Sequence, residues 1–380
     1  MESKKSKSTR KIKVLFIIVF ICMFVLSGCW DSSDIEKKNI LSIVCIDYKD
    51  GNYIFSAEVA NILKNLQGAS SSSGTSYGII KGVGKSFLEA RDAIDRAADY
   101  RLYMGGIKVM LFSKEMGQNG IEAYMNRMRS DENYRKSIDV VNTPLDPQKL
   151  LSTKPENDVG VGDCIEDTLR NQQKMGRSVH TTAGDILQYL SVGNIGFVLP
   201  EIDLLENQIA LTGYSIYKDA KYVGLIPAEQ RQGLVYLLNP GAIFPFDTEL
   251  NGNKLQVLAE ATNKKIEPSY INENVNFDVN FEIKVTISNV EDLFTTNDGD
   301  IPKLLKSVED LVKKDIEDTI KISQTKYGCD YLKFYKYFKA FDQSAFKSGN
   351  WEQMYTKATM NVNVTAEYDS SKGLELDKSG

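Results

Sequence analysis

The sequence predicts an α+β fold: mixed sheets with packed helices, in more than one domain, behind a short N-terminal signal. Three observations predict it. Strand-period and helix-period segments alternate through the first half, as in a mixed α/β layer. The second half instead holds one long alternating strand, Val275 to Ser288, and one long amphipathic segment reaching about Lys326. The chain, at 380 residues and 42 % hydrophobic, is large enough for two or three separate cores.

The N-terminus has the layout of an export signal. Lys4, Lys5, Lys7, Arg10, Lys11 and Lys13 precede an apolar run, Val14 to Val25, and small residues follow in Leu26-Ser27-Gly28-Cys29. Small side chains directly before a cysteine make a lipobox. Cleavage there would leave Cys29 as the new N-terminus, its thiol free to take a diacylglyceryl group. A membrane-spanning helix is the competing reading. Val14 to Leu26 is only 13 residues, against the roughly 20 that cross a bilayer. Two acyl chains hold a protein stably where one binds marginally.

Without residues 1–28 the chain keeps a net charge of about −10. That excludes a basic nucleic-acid footprint and a polybasic patch on anionic lipid. Beyond Cys22 and Cys29 the cysteines are Cys45, Cys164 and Cys329, an odd and widely spaced set that does not read as a disulfide framework. Cys45 falls in the apolar run Ile43-Val44-Cys45-Ile46 and reads as a small buried hydrophobe.

In chain order, Trp30 to Lys38 is a short polar tether. Ile40 to Asp47 and Tyr53 to Ile62 form a hairpin about Asp50-Gly51. Ala69 to Ser76 is a loop of small polar residues, and Tyr77 to Val83 a third strand. Ser86 caps a helix with Phe87, Ala90, Ala93, Ile94 and Ala97 on one face. Strands at Lys108 to Phe112 and Ser137 to Val141 enclose a helix at Ile121 to Met128. Helices follow at Asp163 to Gln173 and Thr182 to Leu190, and Pro200 ends that region.

From Ile209 a hairpin turns at Asp219-Ala220, and a helix runs from Glu229 to Leu238. Strands follow at Lys254 to Thr262 and Val275 to Ser288. The long helix that opens near Ile301-Pro302 buries Leu304, Val308, Leu311, Val312, Ile316 and Ile320. It pairs Glu309 with Lys313, Asp310 with Lys314 and Glu317 with Lys321 on its wet side. An aromatic helix spans Tyr331 to Phe341, and Met360 to Tyr368 closes a sheet. The domains expected are a signal at 1–28, a mixed α/β region at 29–205 with a break near 144–160, and an α+β domain at 206–377 whose long helix lies near 302–326.

Catalytic and ligand motifs are thin. Gly84-Lys85-Ser86 resembles the end of a phosphate loop, but Ile79 stands where its first glycine is needed. Asn297-Asp298-Gly299-Asp300 lacks an acid at Phe294 for a calcium loop. His180 is the only histidine, so any His-based nucleophile site would have to use it, and no zinc motif exists. Glu229 and Asp247 are carboxylates that nothing in the sequence pairs. No cofactor is implied. The aromatic helix is the one surface candidate: Tyr331, Phe334, Tyr335, Tyr337, Phe338 and Phe341 exceed what one helix face buries, with Lys333, Lys336 and Lys339 between them, and the last five rings are the candidate partner face. Core packing accounts for most such rings; a partner face accounts for the rest.

The ordered segments resemble the Ger(x)C lipoproteins, the C subunits of spore germinant receptors. The resemblance rests on Gly28-Cys29-Trp30-Asp31, Ile43 to Asp47 with the Lys49-Asp50-Gly51 turn, and Gly84-Lys85-Ser86 through Glu89-Ala90. It continues in Arg101-Leu102-Tyr103, Lys108-Val109-Met110, Arg127, Asp131 to Arg135, Leu211-Thr212-Gly213-Tyr214, Lys221 to Leu225, Trp351 and Val362 to Val364. Gly106, Asp34, Lys333 and Lys336 depart from the family's pattern. The resemblance implies a non-enzymatic, lipid-anchored subunit on the outer face of the spore inner membrane. It implies two polytopic membrane partners, one like an amino-acid transporter, and Cys29 as the residue carried over. It leaves contact with the nutrient open.

Two rivals make different structural demands. A solute-binding lipoprotein of a membrane transporter needs two lobes, hinge strands and a cleft between them. An exported hydrolase needs a concave site with convergent polar groups.

Overall fold

A computed structural model describes residues 38–60, 77–155, 160–250, 252–290 and 299–369. The signal, Cys29, the loop at 69–76 and residues 297–298 of the Asn-Asp-Gly-Asp motif lie outside them. From Asn39 onward the chain forms one compact unit.

The larger of two sheets is built on a buried strand. β1 (Lys38–Lys49) is followed by β2 (Asn52–Ala60) and β3 (Tyr77–Gly84), all antiparallel neighbours. Asp50 at φ 52° and Gly51 at φ 72° make the expected tight turn. The other edge of β1 pairs in parallel with β5 (Val109–Ser113), while the short β4 (Arg101–Tyr103) also pairs with β1. Parallel pairing continues to β6 (Asp139–Thr143) and β7 (Gly196–Leu205). β8 (Gln208–Lys218) and β9 (Lys221–Pro227) then close the sheet as antiparallel strands, turning at Asp219 and Ala220, both at positive φ.

Helices cover both faces, which is why the central strands read as continuous apolar runs. Val44, Ile46, Met110, Phe112 and Val140 point to one face. There they meet α1 (Phe87–Ala97), α2 (Lys114–Asn119), α3 (Glu122–Ser130) and a later helix. Ile43, Cys45, Val109, Leu111 and Val141 point to the other, under α4 (Pro147–Leu151) and α5 (Val161–Lys174). Cys45 is 1 % exposed, the small hydrophobe its sequence setting predicted.

α5 is tied down at its start by Glu58 of β2. That buried carboxylate accepts from the N–H groups of Val161 at 2.9 Å and Gly162 at 3.3 Å, and from the Ser42 hydroxyl at 2.6 Å. A carboxylate at a helix N-terminus satisfies donors that the helix itself cannot and meets the positive end of its dipole. The later helix on the opposite face, α6 (Ala183–Val192), starts in a Thr182/Asp185 capping box.

β7 runs through Pro200, where the sequence predicts a stop. Proline is tolerated because β7 meets β6 only at the Asn142–Glu201 pair, so most of that edge has no ladder to interrupt. Position 205–206, the expected domain boundary, is the turn of the β7–β8 hairpin inside this sheet.

The second sheet has four strands in the order β10 (Ile243–Leu250), β11 (Asn253–Ile271), β12 (Asn274–Val290) and β13 (Thr359–Tyr368). The first three are antiparallel and β13 is parallel to β12. The alternation read at 275–287 holds: Phe277, Val279, Phe281, Ile283, Val285 and Ile287 are all buried. β10 was not expected, and β11 runs past Thr262 to Ile271. Asn263-Lys264-Lys265 looks like a strand end, but a register shift at Ala261/Asn263 carries the ladder on. Lys264 then donates to the Leu237 carbonyl at the end of α7 (Gln232–Leu238).

α8 (Asp300–Ile322) lays the predicted stripe Leu304, Val308, Val312, Ile316 and Ile320 into the core, with Leu311 half-buried. Its ion pairs differ from those predicted: Lys306 meets Glu309 and Asp310, and Lys313 meets Glu317. Glu309 turns instead to accept from the Ala366 N–H of β13 at 2.9 Å. A single π turn, Ser323–Tyr327, ends α8 at Gly328, whose φ is 57°. The core of this sheet is continuous with one face of the larger sheet, so the described residues do not form two lobes about a hinge.

Candidate functional site

The aromatic segment begins with an aspartate. Asp330 is 1 % exposed and accepts four hydrogen bonds. The N–H groups of Leu332 and Phe334 reach Oδ1, both at 3.1 Å. The Tyr335 N–H reaches Oδ2 at 2.6 Å, and the Trp351 indole reaches it at 3.2 Å. Its carbonyl accepts from Gly196 of β7 at 3.1 Å. One residue therefore starts α9 (Phe334–Phe341), holds α10 (Trp351–Lys357) through the Trp351 indole and links both to the large sheet. Burial pushes its carboxyl up to about 6 against these four donors, which favour the ionised form.

That aspartate also delays the helix. Tyr331 to Lys333 are not helical, and Lys333 sits at φ 69° before α9 begins at Phe334. Of the five rings proposed as a partner face, Phe334, Tyr335 and Phe338 are buried and belong to the core. Phe334 packs edge-on against Phe277 at 4.9 Å, and Phe338 stacks on Trp351 at 5.4 Å. A face made of all five is therefore not presented. Tyr337 is half-buried and Phe341 is 55 % exposed. The signal that could have separated them is the neighbouring sheet: Phe277 and Tyr270 take the rings that α9 cannot shield alone.

The other singled-out residues are scattered. Gly84-Lys85-Ser86 is a helix cap, with Ser86 Oγ accepting from the Glu89 N–H at 3.2 Å and Glu89 accepting from the Lys85 N–H at 2.7 Å. His180 is half-buried beside Asp139 and Arg170, and no hydrogen bond joins it to a serine or cysteine among the described residues. Glu229 and Asp247 line different cavities. Cys45, Cys164 and Cys329 are free thiols. Among the described residues no group of three His, Cys, Asp or Glu forms a metal site, and no helix is long and apolar enough to cross a membrane.

Besides Glu58, sequence reasoning missed the buried carboxylates Asp330 and Glu201. Glu201 accepts from the Ser215 hydroxyl at 2.6 Å and lies beside Asn142, whose Oδ1 takes the Tyr217 hydroxyl at 2.7 Å. Both are satisfied networks that fix the packing of strands and helices.

Comparison with known proteins matches this architecture along its length. Residues 31–204 match the spore germination protein N-terminal domain, and residues 212–371 match the spore germination B3/GerAC-like C-terminal domain. The chain belongs to the Ger(x)C family of spore germination proteins. The two Ger(x)C domain matches are divided at the β7–β8 turn.

Among Ger(x)C relatives of Bacillus subtilis (strain 168), spore germination protein A3 is 23 % identical over 73 % of this chain and 74 % of its own. Spore germination protein YndF is 22 % identical over 95 % and 97 %. Spore germination protein KC is 21 % identical over 81 % of each. The crystal structure of the GerBC protein superposes with a TM-score of 0.52 at 14 % identity, covering 86 % of this chain and 96 % of that one. The mixed, two-sheet Ger(x)C fold is thus shared, and the family ties this chain to spore germination.

Proposed function

We propose that this protein is the lipid-anchored, non-enzymatic C subunit of a nutrient germinant receptor, held by Cys29 on the outer face of the spore inner membrane. The observation that carries the reading is the pair of germination-domain matches, in order and over most of the chain. The Leu26-Ser27-Gly28-Cys29 lipobox supports the anchor.

In this reading the lipid keeps the body beside the bilayer. A short tether raises its effective concentration at two polytopic subunits. The body then supports their assembly or signal, with Phe341 and the exposed side of Tyr337 as what remains of the aromatic contact surface. The test is an affinity pull-down of tagged protein from solubilised spore inner membranes, beside fractionation of the Cys29→Ala variant. Two co-purifying polytopic proteins, and release of the variant from membranes, are expected. Full retention of Cys29→Ala, or recovery with a permease and an ATPase, refutes the assignment.

A further inference from the structure

We propose that β4 and the tyrosine before it form a membrane-contacting collar, with Tyr100 and Tyr103 seated among lipid headgroups and Arg101 on their phosphates. The proposal rests on the Cys29 anchor of the preceding reading and adds which side of the body meets the bilayer.

The length of the tether sets the first limit. Ten peptide links join Cys29 to Asn39, a reach of about 35 Å at full extension. Whatever surrounds the start of β1 is held within that distance of the anchored cysteine.

The second observation is what surrounds it. The Asn39 side chain donates to the Tyr100 carbonyl at 2.9 Å, and β4 pairs with β1. The chain leaving β4 packs on the same strand: a Cβ at Gly106 would come within 2.6 Å of Ile40. Residues 100–106 are thus fixed to the point where the tether enters the sheet.

The third is the chemistry of that segment. Leu102 turns inward at 7 % exposed, while Arg101 and Tyr103 turn out. Tyr100 and Tyr103 are each 40 % exposed. Tyrosine has an apolar ring and a polar tip, and it concentrates where hydrocarbon gives way to water. Arg101 is exposed, and no ion pair engages it among the described residues; a guanidinium fork suits phosphate. Charge selects the same side. Without its signal the chain carries about −10, so an anionic surface repels most of it, yet residues 96–106 hold Arg96 and Arg101 against Asp99 alone. An interfacial preference too weak to recruit a free protein is enough here, because the tether supplies the bilayer at high effective concentration. The acyl chains retain the body; the collar orients it, turning the start of β1 to the lipid.

The lipidated mature protein, purified from membranes and reconstituted in vesicles of phosphatidylcholine and phosphatidylglycerol, tests this. Intact mass first reports the diacylglyceryl group on Cys29. Tyr100→Trp then places an indole in the collar, and lipids brominated near the headgroup end of their acyl chains quench an indole at the interface. The emission that Tyr100→Trp adds to that of Trp30 and Trp351 is expected to be lost in brominated vesicles. The emission added by Ile271→Trp, at an exposed position on the other sheet, is expected to be kept. Adding Arg101→Glu to Tyr100→Trp should restore emission, and unchanged quenching there overturns the part given to the arginine. Lipidated protein whose Tyr100→Trp indole is as bright with bromine as without it overturns the collar and leaves the anchor standing. Absence of the diacylglyceryl group overturns both.

Discussion

Gly233 is where α7 and α8 touch backbone to backbone, and Gly233→Ala measures what that contact is worth. A Cβ at this position would lie 2.0 Å from the Asp315 carbonyl oxygen and 2.3 Å from Thr319 Oγ1. The first of these is main chain and cannot swing aside. Side chains do not approach backbone oxygen closer than 3.0 Å, so the helices must separate by about 1 Å. Leu234, Val235, Tyr236 and Leu237 are all buried on α7, and the separation loosens every one of them. Overpacking alone costs about 1–3 kcal/mol, and loosening this run takes the expected loss to roughly 3 kcal/mol. Urea denaturation followed by far-UV circular dichroism gives the value. Gly241→Ala is the control: its Cβ meets only Asn239 Oδ1, at 3.8 Å, and the change should stay within about 0.5 kcal/mol. If Gly233→Ala is as mild as the control, the close seam between α7 and α8 is refuted.

Other expectations follow from the buried carboxylates. Asp330→Ala strands three backbone N–H groups and the Trp351 indole, and should cost about 3–5 kcal/mol, read as a lowered urea midpoint and an altered tryptophan emission; an unchanged midpoint would dismiss its role as the hub. Asp330 also sets a pH signature. Its folded pKa of about 6 lies above the ordinary 3.8, so the native state binds a proton that the unfolded chain has already released. That stabilisation, of order 3 kcal/mol, is present in full below about pH 4 and lost as pH rises through 6. The stability difference between wild type and Asp330→Asn should therefore fall across that window, and a rise would contradict the burial of this carboxyl. Glu58→Ala leaves the Val161 and Gly162 N–H groups and the Ser42 hydroxyl without their acceptor; a loss of about 2–4 kcal/mol, with early hydrogen exchange at the start of α5, is expected.

The parts of the fold governed by short-range rules could be read directly. Asp50-Gly51 dictates a hairpin, the alternation of 275–287 dictates a strand, and the stripe from Leu304 to Ile320 dictates a helix. Each signal is a spacing between residues no more than four apart in the chain. What escaped were features decided by distant partners. Pro200 reads as a break because its neighbours in space, Tyr214 and the sparsely paired edge of β6, are not its neighbours in sequence. Lys264 reads as a strand end until the Leu237 carbonyl is placed beside it. The aromatic helix was legible as aromatic, yet which rings face inward depends on Phe277, Tyr270 and Trp351. Three of the donors to Asp330 lie within five residues of it, but the Trp351 indole that completes the set is 21 residues away.

The position of β1 bears on mechanics. It is the first strand described, yet it lies inside the sheet, with β2 on one edge and β5 on the other. Tension entering the body through residue 38 along the strand direction loads both ladders in shear, so many hydrogen bonds must yield together. An edge strand pulled the same way would load one ladder instead of two. The body can therefore be pulled by its N-terminus without being peeled apart, and its lifetime under load is set by rupture of the central sheet.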